Sequence, residues 1–67
     1  MTMGERIRSR RTELGLSQEE LAQQTGYRDK SAISKIELGI NDIPVRQLGK
    51  LASALCVPVI WIIEGHT

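Results

Sequence analysis

Sixty-seven residues, with nine Lys or Arg against eight Asp or Glu and a net charge of +1, make one small domain at most, and a chain of that size buries only about 60% of its unfolded surface. A single cysteine, Cys56, excludes an intramolecular disulfide, and one cysteine with one histidine excludes a four-ligand zinc site of the usual kind, so stability must come from regular helix packing or self-association. The charged opening MTMGERIRSRR lacks the apolar centre of a signal peptide, no apolar run approaches the ~20 residues of a membrane span, and a lone thiol fits a reducing cytoplasm.

Residues 3–14 read as a first helix, with Ile7, Arg11 and Leu14 on one face at i, i+4 and i+7. Arg11 is a cation on the face that should pack inward. Gly15 can close that helix, and Leu16 has the place of a hydrophobic staple before the next cap. Ser17 with Glu20 forms a capping box at the start of a second helix, whose narrow apolar stripe is Leu21 and Ala22. A turn pivots on Gly26, and a third helix begins near Asp29 and carries Ile33 and Ile36 at i, i+3. Two short helices about a glycine turn, spanning residues 17–38, form a helix-turn-helix.

Gly39 ends the third helix, and Ile40-Asn41-Asp42-Ile43 is a loop. Pro44 is placed as the first residue of a fourth helix, where its missing N–H costs nothing. Leu48, Leu51, Ala52 and Leu55 give that helix the cleanest apolar stripe in the chain. Gly49 inside it costs roughly 1 kcal/mol relative to Ala and either permits a close approach or is merely tolerated. After Cys56-Val57 and Pro58 come five apolar residues, 59–63. Their β-branched and aromatic character suggests a strand, whereas Pro58 and Gly65 at the ends suggest a short helix, the reading we favour. Five consecutive apolar residues exceed what one face can bury, so some should meet another chain. The last four residues are expected to fray.

The near-neutral total hides an uneven distribution. Arg6, Arg8, Arg10 and Arg11 oppose only Glu5 and Glu13 in the first helix, while Arg28, Lys30 and Lys35 surround the third. A near-neutral protein binds nucleic acid only through a locally basic face, with modest salt-dependent affinity.

The segments LGLSQEELAQQTG (14–26), SAISKIELG (31–39) and LASAL with Val57 and Trp61, together with the opening MGERIRSRR, resemble the phage repressor and Cro-type helix-turn-helix family, also called Xre or lambda-repressor-like. The resemblance covers residues 4–65. It implies an all-α, five-helix DNA-binding domain, here a single unit over residues 1–67, working as a homodimer on a roughly palindromic operator in double-stranded DNA. Three positions depart from the pattern. The turn between Gly26 and Ser31 is one residue longer than is common. Cys56 stands where glycine or asparagine is usual, which argues against a left-handed cap there. Ile60 occupies a position that is often polar. No second domain for effector binding or autocleavage is expected.

The resemblance assigns roles residue by residue. Lys30, Ser31, Ser34 and Lys35 are the candidates for reading bases: 31, 34 and 35 lie one turn apart while Ala32, Ile33 and Ile36 turn inward. Lysine can donate to guanine O6 and N7, and serine can bond several base edges. The plainer alternative is an ordinary solvated helix face. Gln18 is expected to bond a phosphate and brace the third helix, with Glu19 and Glu20 pointing away. Arg11 and Glu37 are expected to form a partly buried salt bridge between the first and third helices. Arg10, Arg28, Asn41 and Arg46 are candidate phosphate contacts, and Tyr27 either bonds a phosphate or packs over the turn. Pro58, Ile60 and Trp61 are candidates for the dimer interface, the alternative for Trp61 being the monomer core. Cys56 and His66 have no partners for metal binding or nucleophilic catalysis; no metal, cofactor, small-molecule ligand or enzymatic activity is expected. The function implied is a sequence-specific transcriptional regulator, a dimeric repressor in a bacterial or phage-infected cytoplasm. The alternative is a protein-interaction module of the same fold, antitoxin-like or an adaptor, without specific DNA binding.

Overall fold

In the computed structural model, which describes residues 1–66, five helices follow one another: α1 (Met3–Glu13), α2 (Gln18–Thr25), α3 (Lys30–Glu37), α4 (Val45–Leu55) and α5 (Val59–Glu64). The starts of the first three are written locally. Thr2 and Glu5 exchange hydrogen bonds (3.1 and 2.8 Å) in a capping box that the sequence reading overlooked. Ser17 and Glu20 form the anticipated one (3.0 and 2.9 Å). The Asp29 carboxylate accepts from the Ser31 backbone N–H at 3.0 Å, which makes Lys30 the first residue of α3.

The fourth helix begins one residue later than expected. Pro44 is its N-cap, with an extended ψ of 146°, and its carbonyl accepts from the Gln47 and Leu48 N–H groups. Cys56 reverses another expectation. It takes the left-handed conformation (φ 58°, ψ 43°) despite its Cβ. A left-handed residue with a Cβ costs roughly 1–2 kcal/mol. That conformation lets the Val57 N–H reach the Ala52 carbonyl at 3.0 Å, closing the end of α4 in the manner of a Schellman motif. The final apolar run is helical: Trp61 N–H donates to the Pro58 carbonyl, and Gly65 (φ 82°) closes the turn onto the Trp61 carbonyl.

Ile7, Leu21, Ala22, Ile33, Ile36, Leu51, Ala52, Leu55 and Ile62 form the buried core, so every helix contributes to it. Leu14 does not. It is the C-cap of α1, where the helical face that would have carried it inward ends, and it lies at the surface. Gly4 and Gly49 part company. A Cβ on Gly4 would sit 2.4 Å from the Ile36 carbonyl oxygen and 2.6 Å from that of Glu37, because α1 and α3 approach backbone to backbone there. A Cβ on Gly49 would meet nothing within 4 Å, so that glycine is tolerated and permits no close approach.

Candidate nucleic-acid interface

The helix-turn-helix is set by a short list of contacts. Gly26 ends α2 at φ 79°, a conformation open to glycine at no steric cost. The Tyr27 N–H then returns to the Ala22 carbonyl at 2.9 Å. Ile33, Ile36 and Glu37 turn α3 towards the core, which leaves Ser31 and Lys35 exposed on the opposite side and Ser34 half-buried at its edge, while Lys30, seven residues before Glu37 on the same line, is exposed at the first position of the helix. The Ser31 hydroxyl donates to the Asp29 carboxylate. Its proton is therefore engaged, while its oxygen remains free to accept. This pair, with the Ser31 N–H, holds the Asp29 carboxyl below the usual carboxylate range.

Behind α3 lies a buried carboxylate shared by three helices. Arg11 of α1 grips Glu37 with two hydrogen bonds, Nε to Oε2 at 2.7 Å and Nη2 to Oε1 at 3.1 Å. Its Nη1 reaches the Leu16 carbonyl at 2.9 Å. Gln18, at the start of α2, donates from Nε2 to Glu37 Oε1 at 3.0 Å. The Glu37 side chain is 3% exposed. A two-pronged guanidinium–carboxylate pair fixes direction as well as distance, so α1 and α2 together hold the axis of α3.

The remaining candidates fall into three groups. Arg28, Asn41 and Arg46 are exposed, at the turn and around the loop before α4. Arg10 and Tyr27 are turned to the protein. Arg10 Nε donates to the Leu55 carbonyl at 2.9 Å, meeting an unsatisfied acceptor at the end of α4. The Tyr27 hydroxyl is buried beside Gln47; neither it nor Gln47 Oε1 has a partner in full hydrogen-bond geometry. Burial pushes the phenol up, with the Gln47 amide and Arg46 pulling partly back. The tyrosine thus packs over the turn, and its hydroxyl is out of reach of a phosphate. In the third group, Pro58 and Ile60 are exposed, and Trp61 is half-buried against the core. Val59 and Ile63 add to the apolar surface of α5.

Arg6 escaped the sequence reading. Its guanidinium donates from Nε to the Ile62 carbonyl (2.9 Å), from Nη2 to that of Ile63 (2.8 Å) and from Nη1 to that of Met1. Arg6 and Arg10 stand one turn apart on α1 and close the carbonyl ends of α5 and α4 respectively. Their i, i+4 spacing was the only signal in the sequence. Among the described residues no group of three His, Cys, Asp or Glu side chains could hold a metal ion, and no helix is long and apolar enough to cross a membrane.

Five helices around a braced second helical pair define a repressor-type helix-turn-helix domain. The helix-turn-helix family model matches residues 7–62, and the chain belongs to that family, of Xre or Cro/C1 type. It is 40% identical over 62 residues to an uncharacterized HTH-type transcriptional regulator of Sinorhizobium medicae (strain WSM419), covering 92% of this chain and 44% of that protein. It is 44% identical over 57 residues to an uncharacterized transcriptional regulator in the ATPase CF(0) region of Rhodospirillum rubrum, covering 85% and 52%. The chain thus spans about half the length of these curated relatives. Its fold superimposes on the P22 c2 repressor, crystallised in complex with synthetic operator 9T, with a TM-score of 0.93 and 32% identity over 98% of both chains.

Proposed function

We propose that the chain is a sequence-specific, DNA-binding transcriptional regulator: a cytoplasmic homodimer that represses by occupying a palindromic operator. The carrying observation is the outward row of α3. Ser31 and Lys35 on the outward side, with Lys30 exposed at the start of the helix, are free to meet a partner while Glu37, on the inward side of the same helix, is locked to Arg11 and Gln18. In the major groove Lys30 and Lys35 donate to guanine O6 and N7. Ser31, its proton held by Asp29, accepts from adenine N6 or cytosine N4, and Ser34 borders the same surface.

Phosphates are met by the N-terminus of α2 and by Gln18, whose amide nitrogen carries a second hydrogen beyond the one given to Glu37. Arg28, Asn41 and Arg46 extend that contact, which positions the protein without reading sequence. Arg10 retains its terminal guanidinium nitrogens for the same purpose. Pro58, Ile60 and Trp61 form the dimer surface, setting two copies of α3 roughly 34 Å apart in successive major grooves.

Selection of preferred sites from random duplex DNA tests this reading. The expected product is a palindrome bound more weakly as salt rises, with binding lost in the K30A/K35A double variant at unchanged helical content. Affinity for the selected pool equal to that for random DNA at physiological salt overturns it. Self-association without DNA binding is the outcome that favours the interaction-module alternative, for which the exposed Val59, Ile60 and Ile63 on α5 speak.

A further inference from the structure

The outward row of α3 does not stop at Lys35. Leu38 lies seven residues beyond Ser31 and three beyond Lys35, on the same line along the helix. It is the C-cap and keeps helical dihedrals (φ −82°, ψ −6°), with its N–H bonded to the Ser34 carbonyl at 3.0 Å. The register of the helix therefore carries through it, and its side chain points away from Ile33, Ile36 and Glu37. Leu38 is 68% exposed. A leucine so placed gains nothing from solvent and has no group to offer a phosphate.

Its neighbours reinforce that chemistry. From Ile36 to Val45 the chain carries no cation, and Ile40 beside it is equally exposed. The base edges of the major groove hold one apolar group, the C5-methyl of thymine. Leu38 stands about 10 Å along the helix from Ser31, within the length of a single half-site.

We propose that Leu38 determines sequence specificity by packing on the C5-methyl of a thymine in each half-site. The inference rests on the operator-binding reading above and refines it: Lys30, Ser31 and Lys35 read hydrogen-bonding edges, and Leu38 reads a methyl group. The test replaces each thymine of the selected operator in turn by uracil, which keeps the hydrogen-bonding edge and removes only the methyl. Binding is measured for the wild-type protein, L38A and L38N.

At one position per half-site the swap weakens wild-type binding about fourfold, the magnitude of one buried methyl-sized group. L38A and L38N bind the thymine and uracil operators alike. Because the position is exposed, both variants keep wild-type helical content and unfolding midpoint. The inference is overturned if the wild-type protein binds its operator specifically yet ignores every swap, or if the selected half-site contains no thymine. It is also overturned if L38A keeps the fourfold loss, or weakens self-association while leaving the methyl dependence intact. Failure of the operator-binding reading is a separate result, the absence of any selected site.

Discussion

Gly4, in the first turn of α1, and Gly49, inside α4, are both helical glycines with different surroundings. The neighbours of Gly4 are backbone carbonyls of α3, at 2.4 and 2.6 Å from a would-be Cβ, and carbonyls cannot swing aside as a side chain can. G4A should therefore destabilise the fold by about 1–3 kcal/mol through overpacking, although alanine is the better helix former. G49A meets open space and should stabilise by about 1 kcal/mol. Urea unfolding midpoints of the two variants, read against the parent, check the opposite signs. The two positions look alike in the sequence, since helix propensity is local and the carbonyls that decide Gly4 belong to residues more than thirty positions away. The same distance explains Arg6 and Arg10. Their partners, Ile62 and Leu55, lie 56 and 45 residues along the chain. No periodicity encodes such a pairing.

Individual helices are decided at their ends. α1, α2 and α3 each start on an exposed carboxylate engaged in a cap: Glu5 with Thr2, Glu20 with Ser17, Asp29 with Ser31. Hydrogen bonds from Thr2, Ser17 and Ser31 hold the three carboxyls below the usual range. A carboxyl whose pKa is depressed by folding contributes stability above its unfolded value, and that contribution disappears as pH falls through the folded value. The melting temperature should hold from neutral pH down to about 5 and fall below about 4, where free carboxyls protonate. Replacing Thr2 and Ser17 by alanine should lower it at neutral pH and flatten part of its fall in acid, the larger share staying with the backbone N–H bonds to Glu5 and Glu20 that alanine keeps; thermal melts across that range measure both. At the other ends the device differs. α4 closes through a left-handed Cys56 and α5 through Gly65, with the arginines of α1 meeting their last carbonyls. Residues 59–63 were ambiguous in isolation because β-branched side chains prefer strands. Pro58, Gly65, the burial of Ile62 and the bonds from Arg6 decide for a helix.

At the scale of the whole molecule, Glu37 is the junction. It receives bonds from Arg11 of α1 and Gln18 of α2 while belonging to α3. Replacing it by glutamine leaves the Arg11 guanidinium buried without an opposite charge. The loss of one partner of a buried pair costs about 3–5 kcal/mol, a large share of the stability of so small a domain. E37Q should lower the free energy of unfolding by that amount in chemical denaturation, and Arg11→Met combined with Glu37→Leu should recover most of it. Recovery of folding without recovery of operator binding would separate the two consequences of the junction, stability and the aim of α3.

What the sequence determined by itself is whatever repeats or caps locally. The Ser17–Glu20 box, the glycine turn, the inward stripes of α3 and α4, and the outward placement of Ser31 and Lys35 all follow from side-chain spacing on a helix, which a few consecutive residues specify. The pairing of Arg11 with Glu37 came from the family resemblance, since spacing showed only that both charges lay near inward faces. What the tertiary structure alone decided is every contact whose partner is remote: the backbone approach at Gly4, the carbonyls met by Arg6 and Arg10 and the buried hydroxyl of Tyr27. These depend on how five helices pack, and packing brings together atoms whose separation along the chain carries no periodic trace.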